Sequence, residues 1–243
     1  MSSAVRAQAR AQVDRRSVLT NHRRALAYAV GLLVATVVVF LLVAFDSTLT
    51  SVQTVDDAVY RRANELRIGV ATVLARLLNV LGGGWVLIPL RIAVAVWLIV
   101  RRRWRVLTAW LMIWFASEVA INLFKAWYER PRPPGSLVAT RGFSFPSGHA
   151  VATAATAIGL VLVLLPPGHR RRHWEVYSVV FAFVMALSRV YLNAHWLSDV
   201  VAGTLLGATT ALAVAGLVTE VHDVVMKRRA RSNVSSVAVP VRR

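Results

Sequence analysis

Six apolar runs organise the chain, at 25–45, 85–100, 106–124, 150–165, 176–192 and 200–219, and Arg, Pro, Gly and His concentrate in the segments between them. A helix needs about 20 apolar residues to cross roughly 30 Å of hydrocarbon, and fewer where it ends in a protein-lined cavity, so each run predicts a membrane span. The first run is too long for a signal-peptide core and its basic leader, 1–24, too long for a signal n-region, which predicts an uncleaved anchor. Between the first two runs, Asp56, Asp57, Arg61, Arg62, Glu65, Arg67 and Arg76 interrupt every apolar face, placing 46–84 outside the bilayer core. Within it, 68–80 predicts a short interfacial helix, ended by Gly82, Gly83 and Gly84. The expected fold is all-α: a single six-helix membrane domain over 25–220, between a cytoplasmic basic leader at 1–24 and a cytoplasmic basic tail at 221–243.

Charge adds direction to this outline. Lys and Arg are retained on the cytoplasmic side of membranes. Arg6, Arg10, Arg15, Arg16, Arg23 and Arg24 precede the first span; Arg101, Arg102, Arg103 and Arg105 follow the second; Arg170, Arg171 and Arg172 follow the fourth; and Lys227, Arg228, Arg229 and Arg231 follow the sixth. Six alternating helices put all four clusters on one face, so both termini are expected in the cytoplasm of a cell-membrane protein. A net charge of +18 would suggest nucleic acid in a soluble chain, but 57% hydrophobic residues and cations grouped between apolar runs point to the bilayer as partner and to no nucleic acid. The absence of cysteine excludes disulfides and thiolate catalysis.

Three segments at the extracytoplasmic ends of the predicted spans carry the candidate chemistry. They are Lys125-Ala-Trp-Tyr-Glu-Arg130-Pro-Arg132-Pro, Phe145-Pro-Ser147-Gly148-His149 and Ser188-Arg189-Val-Tyr-Leu-Asn-Ala-His195-Trp-Leu-Ser-Asp199. A phosphoryl group in transfer needs fixed cations and N–H donors, an in-line nucleophile and an acid for the leaving oxygen. Lys125, Arg132 and Arg189 supply charge, while the Ser147 hydroxyl and the amides of Ser147, Gly148 and His149 sit at a predicted helix start, where an anion is favoured. His195 and Asp199 are four residues apart, so on one helical turn the carboxylate can hold one ring nitrogen and leave the other to attack phosphorus. His149 remains for acid/base work. The other histidines, His22, His169, His173 and His222, fall beside the Arg clusters on the opposite face.

These segments resemble the three signature motifs of the type 2 phosphatidic acid phosphatase (PAP2) superfamily: Lys, six residues, Arg-Pro; Pro-Ser-Gly-His; and Ser-Arg, five residues, His, three residues, Asp. All three match without substitution and in order. The resemblance implies an integral-membrane lipid phosphatase that forms a phosphohistidine on His195. It also implies that Asp199 orients His195, that His149 serves as acid and then base, and that Lys125, Arg132, Ser147, Gly148 and Arg189 bind phosphate. It implies neither metal nor cofactor. The Ala, Val and Arg richness suits a high-GC bacterium, for which a polyprenyl (undecaprenyl or decaprenyl) diphosphate is the preferred substrate, with phosphatidylglycerophosphate or phosphatidic acid as alternatives. Vanadate-dependent haloperoxidases share such a pocket but are soluble. A non-catalytic lipid-phosphate binder or transporter would need the cations but no nucleophile.

Taken singly, many of these residues have ordinary uses, since Lys and Arg at helix ends snorkel toward headgroups. Arg141 keeps that reading as an equal alternative, and Arg130, beside the motif's Arg132, is either a secondary contact or an interfacial charge. Glu118 either supports Lys125 from one helical face or pairs with Arg91. Trp85, Trp104, Trp110, Trp127, Trp174 and Trp196 near the span ends read as an interfacial belt, and Gly203 and Gly207 as a close helix contact within the monomer.

Overall fold

The computed structural model describes residues 22–237, and every regular element among them is a helix. In chain order these are α1 (His22–Ala44), α2 (Asp46–Glu65), α3 (Gly69–Leu81), α4 (Gly84–Val100), α5 (Trp104–Tyr128), α6 (Gly148–Leu164), α7 (His169–Tyr191) and α8 (Leu197–Val237). Residues 1–21 of the basic leader and 238–243 of the tail lie outside the described residues. All six apolar runs fold as helices. Four helical segments, Arg24–Ala44, Trp104–Tyr128, His169–Tyr191 and Leu197–Met226, are long and apolar enough to cross a membrane on their own. α3 and α4, bent by 44° at the break between them, qualify together as one more. α6, with 17 residues, is shorter than these spans. Most of it is enclosed by α5, α7 and α8, so its length answers to its neighbours rather than to lipid.

The distribution of side chains is that of a membrane protein. Val30, Val34, Val37 and Leu41 of α1 and Val176, Val179, Val180 and Phe183 of α7 are exposed, while Arg91, Asp56, Arg189 and Asp199 are buried. Burial of charge without water demands partners. Arg91 finds them on two other helices: its Nε donates to Thr156 Oγ1 at 2.9 Å, and its two terminal nitrogens donate to Glu118 at 2.6 Å and to the Ala152 carbonyl at 3.1 Å. Glu118 therefore serves Arg91 and not Lys125. Trp110 is buried and donates its indole N–H to the Arg91 carbonyl at 3.0 Å, which removes it from the interfacial belt. Trp85 and Trp127, 94% and 75% exposed, fit the belt.

Two glycine contacts set the helix spacing near the site. On α8, a Cβ at Gly203 would lie 2.7 Å from the Ser147 carbonyl oxygen, and one at Gly207 would lie 2.4 Å from that of Val151. Only hydrogen fits there, so α6 and α8 meet backbone to backbone within one chain, as the glycine spacing predicts. At the end of α3, a Cβ on Gly82 would meet Met185 of α7 at 2.7 Å, so the missing side chain lets the α3 terminus lie against α7. Phe40 of α1 packs edge-on against Phe145 at 4.8 Å and Phe124 at 4.6 Å, fixing the segment that leads into α6.

Candidate active site

The three motif segments converge at one end of the bundle. Lys125 closes α5, His149 stands on the first turn of α6, Arg189 on the last turn of α7, and Asp199 on the first turn of α8. α5 stops because Glu129 adopts a left-handed conformation (φ 43°) and Pro131 follows, which turns the chain across the site. α6 begins at Ser147, whose hydroxyl accepts the Ala150 amide at 3.5 Å, with Pro146 just before it. The Ser147 N–H donates to the Asp199 carbonyl at 3.0 Å, tying the starts of α6 and α8 together at the Gly203 contact.

Asp199, fully buried, is the hub. One carboxylate oxygen accepts the Trp196 amide at 2.9 Å and the Ser144 hydroxyl, and lies 3.4 Å from His195 Nδ1. Its other oxygen accepts Arg130 at 2.8 Å. With Nδ1 turned to the carboxylate, Nε2 faces away, 3.1 Å from an Arg132 terminal nitrogen. Burial pushes the His195 imidazole down to about 4, and Arg132 and Arg189 push the same way against the opposing pull of Asp199. At neutral pH the ring is uncharged and its outward nitrogen carries a lone pair.

Cations surround that nitrogen. Arg132 is aimed by four carbonyls, those of Arg141, Gly142, Phe143 and Ala194, at 2.7–3.0 Å. Lys125 donates to the same Phe143 carbonyl. Arg132 lies close enough to Lys125 and to Arg189 to repel both. Arg189, 2% exposed, donates one terminal nitrogen to the Asn79 side chain, while its Nε–H is buried without a protein partner. His149 Nε2 lies 3.2 Å from the Asn79 carbonyl, so α3 positions both Arg189 and His149. Of the expected phosphate contacts, Ser147 is the most deeply enclosed; its hydroxyl oxygen accepts the helix-cap bond, which does not consume the O–H donor. Gly148 keeps the backbone near Lys125, whose Cε a Cβ there would meet at 3.9 Å.

A second set of buried residues joins the site from outside the motifs. Arg130 is 7% exposed and bridges two carboxylates, Asp199 at 2.8 Å and Asp56 of α2 at 2.7 Å, while also reaching Gln53 at 2.9 Å and Ser198 Oγ at 2.6 Å. Asp56 in turn accepts the Ser198 amide at 2.9 Å, capping α8, and Trp196 covers the Arg130 guanidinium at 5.7 Å. Trp196 is thus part of the site wall rather than the belt. Arg130 is not an interfacial charge: its guanidinium is engaged by Asp56, Asp199, Gln53 and Ser198. Asp56, Asn79 and Ser144 carry no motif signal, and 46–84, treated from composition as lying outside the core, supplies two of them. The exposed Arg141 contributes its carbonyl rather than its charge.

A helical membrane bundle whose buried imidazole–carboxylate pair opens toward three converging cations has the makings of a phosphate-ester site, and its relatives are phosphatases. The family model described as PAP2 superfamily matches residues 106–223. The chain is 30% identical over 184 residues, 73% of its length, to phosphatidylglycerophosphatase B of Bacillus subtilis, covering 90% of that protein. It is 34% identical over 139 residues to decaprenylphosphoryl-5-phosphoribose phosphatase of Mycobacterium tuberculosis, covering 52% of this chain and 67% of the relative. The crystal structure of a transmembrane PAP2-type phosphatidylglycerolphosphate phosphatase from Bacillus subtilis superimposes with a TM-score of 0.68 at 27% identity, over 78% of this chain and 94% of that one. The chain belongs to the PAP2 superfamily and is a multi-pass membrane phosphatase.

Proposed function

We propose that this phosphatase removes the terminal phosphate of a membrane-lipid headgroup through a phosphohistidine on His195. The observation that carries the reading is the position of His195 Nε2: its ring is held from behind by Asp199, and it faces Arg132 in a pocket where Lys125, Arg132 and Arg189 meet one carboxylate already engaged by Arg130. Such an excess of buried positive charge suits a phosphate carrying two negative charges. The His195 lone pair forms the N–P bond as the P–O bond to the leaving group breaks, an anhydride bond in a diphosphate or an ester bond in a phosphomonoester, and protonated His149 delivers its proton to the departing oxygen. His149 then takes a proton from water, whose oxygen attacks phosphorus. The N–P electron pair returns to His195 as inorganic phosphate forms. Ser147 and Gly148, with the three cations, hold the equatorial oxygens.

The six-span topology, with both termini cytoplasmic and the site outside the cell membrane, belongs to the same proposal. Its support is that the chain direction of α5, α6 and α7 puts Arg101–Arg105 and Arg170–Arg172 at the end opposite Lys125, His149 and Arg189. α3 lies on the site's side, as an extracytoplasmic interfacial helix would, because Asn79 near its end reaches Arg189.

For the substrate, polyprenyl diphosphate is the first reading. A phosphomonoester such as phosphatidylglycerophosphate is the second, favoured by the name of the Bacillus subtilis relative that the chain covers almost entirely. Purified protein in detergent with a chelator should release phosphate and be inhibited by vanadate. The kcat/KM ranking of polyprenyl diphosphate, phosphatidylglycerophosphate and phosphatidic acid separates the two readings. An acid-labile, alkali-stable phosphoenzyme, present in wild type and absent in His195→Ala, tests the intermediate. Inertness on every lipid phosphate would favour a binder.

A further inference from the structure

Away from the site, a cavity of about 1150 Å³ opens between α1, α7 and α8. Its walls are apolar, formed by Gly31 and Leu32 of α1, Ala182 of α7, and Leu205, Ala208 and Leu212 of α8. Its mouth is cationic. Arg24 stands at the start of α1, with His169, Arg171 and Arg172 at the start of α7, and the one carboxylate among the lining residues, Glu175, pairs with Arg171 at 2.8 Å. Along α7 the lining runs from His169 to Ala182, about 20 Å at the helical rise, enough for the roughly 15 Å of one hydrocarbon leaflet with a headgroup at its mouth. None of the phosphate-handling residues borders it, because Arg189, His149 and Asp199 occupy the other ends of these helices.

We infer that this cavity is a slot for one anionic phospholipid of the leaflet opposite the active site. The lipid's phosphate lies at the Arg24, His169 and Arg172 mouth and its acyl chains lie between α1 and α8. Basic pockets between membrane helices recognise anionic headgroups, and the three arginines here exceed the single glutamate. A soluble anion would use the mouth but gain nothing from walls a leaflet deep. A zwitterionic lipid would bring a second positive group to a mouth already rich in them. Gly31 marks the wall most open to filling: a Cβ there meets nothing within 4 Å, so a larger side chain enters the slot without displacing protein. The inference is independent of which lipid the enzyme hydrolyses.

The test compares wild type with Gly31→Leu and Arg172→Gln by native mass spectrometry and by thermal unfolding in phosphatidylcholine bilayers with and without phosphatidylserine. Vanadate is present throughout, so that the active site is equally occupied. Wild type should retain one phosphatidylserine and show a Tm that rises with it. Gly31→Leu, which replaces a helix-weakening glycine, should lose both the retained lipid and the rise while keeping detergent turnover. Arg172→Gln, altered only at an exposed side chain, should lose the preference for phosphatidylserine over phosphatidylcholine. The inference is overturned if phosphatidylcholine is held equally by wild type, if Gly31→Leu keeps the lipid, or if the chain-free headgroup glycerophosphoserine raises Tm as much as the lipid does.

Discussion

The two ends of the bundle hold similar numbers of cations in different ways. At the site, Arg130 and Arg189 are buried and Arg132 is half-buried; Arg130 and Arg132 are aimed by acceptors from two or more segments and Arg189 by Asn79 of α3. At the far end, Arg101, Arg102, Arg170 and Arg172 are exposed, Arg172 at the mouth of an apolar slot beside the buried Arg171 that pairs with Glu175. Desolvated cations hold one geometry because every acceptor lost there costs several kcal/mol, whereas exposed ones are screened and interchangeable. The first arrangement suits positioning a reacting phosphate. The second suits orientation in the membrane and lipid contact.

Substitutions break this contrast in graded ways. His195→Ala removes the nitrogen proposed to attack phosphorus and should lower kcat by about 10⁴-fold or more with Tm little changed, measured by phosphate release and thermal unfolding. Arg130→Gln leaves Asp56 and Asp199 facing each other's side of the site uncompensated. It should cost about 3–5 kcal/mol of stability, and kcat should fall more than KM rises, with partial rescue by Arg130→Lys. Gly207→Ala forces a methyl group onto the Val151 carbonyl and should cost about 1–3 kcal/mol by overpacking. In the proposed mechanism His195 must be neutral, with its pKa pushed down to about 4, and His149 protonated, with burial pushing its pKa down to about 3, so kcat/KM should rise as pH falls from neutral and peak between those two values, the acid limb belonging to His195. Asp199 favours the protonated ring, so in Asp199→Asn the residual activity should show this limb at lower pH. The smallest effect belongs to the far end: Arg172→Gln should change stability by no more than about 0.5 kcal/mol and leave turnover unchanged. An Arg172 effect as large as that of Arg130 would erase the distinction between the ends.

Much of the site was legible before any coordinates. Lys125, Arg132, His149, Arg189, His195 and Asp199 stand at helix ends that periodicity and Pro/Gly punctuation mark, and the three-residue interval from His195 to Asp199 already implies their contact. The partners of these residues were not legible. Asp56 and Asn79 lie on α2 and α3, in a stretch whose mixed charges look like those of any solvated loop. Nothing local tells a carboxylate that meets Arg130 from one that meets water. Glu118 shows the same limit, since helical spacing permits Lys125 as readily as Arg91 and only the crossing of α4, α5 and α6 selects Arg91.

The sequence by itself determined the helices, the membrane character and the motif residues that meet at one end of the bundle, because hydrophobic period, charge bias and motif spacing are local properties of the chain. Tertiary structure alone decided that Arg130 locks Asp199 to Asp56, that α3 delivers Asn79 to Arg189 and His149, and that α1 leaves a leaflet-deep slot against α7 and α8. Those outcomes depend on how closely helix backbones approach, and glycine contacts such as Gly203 on Ser147 fix that distance only once the helices are packed.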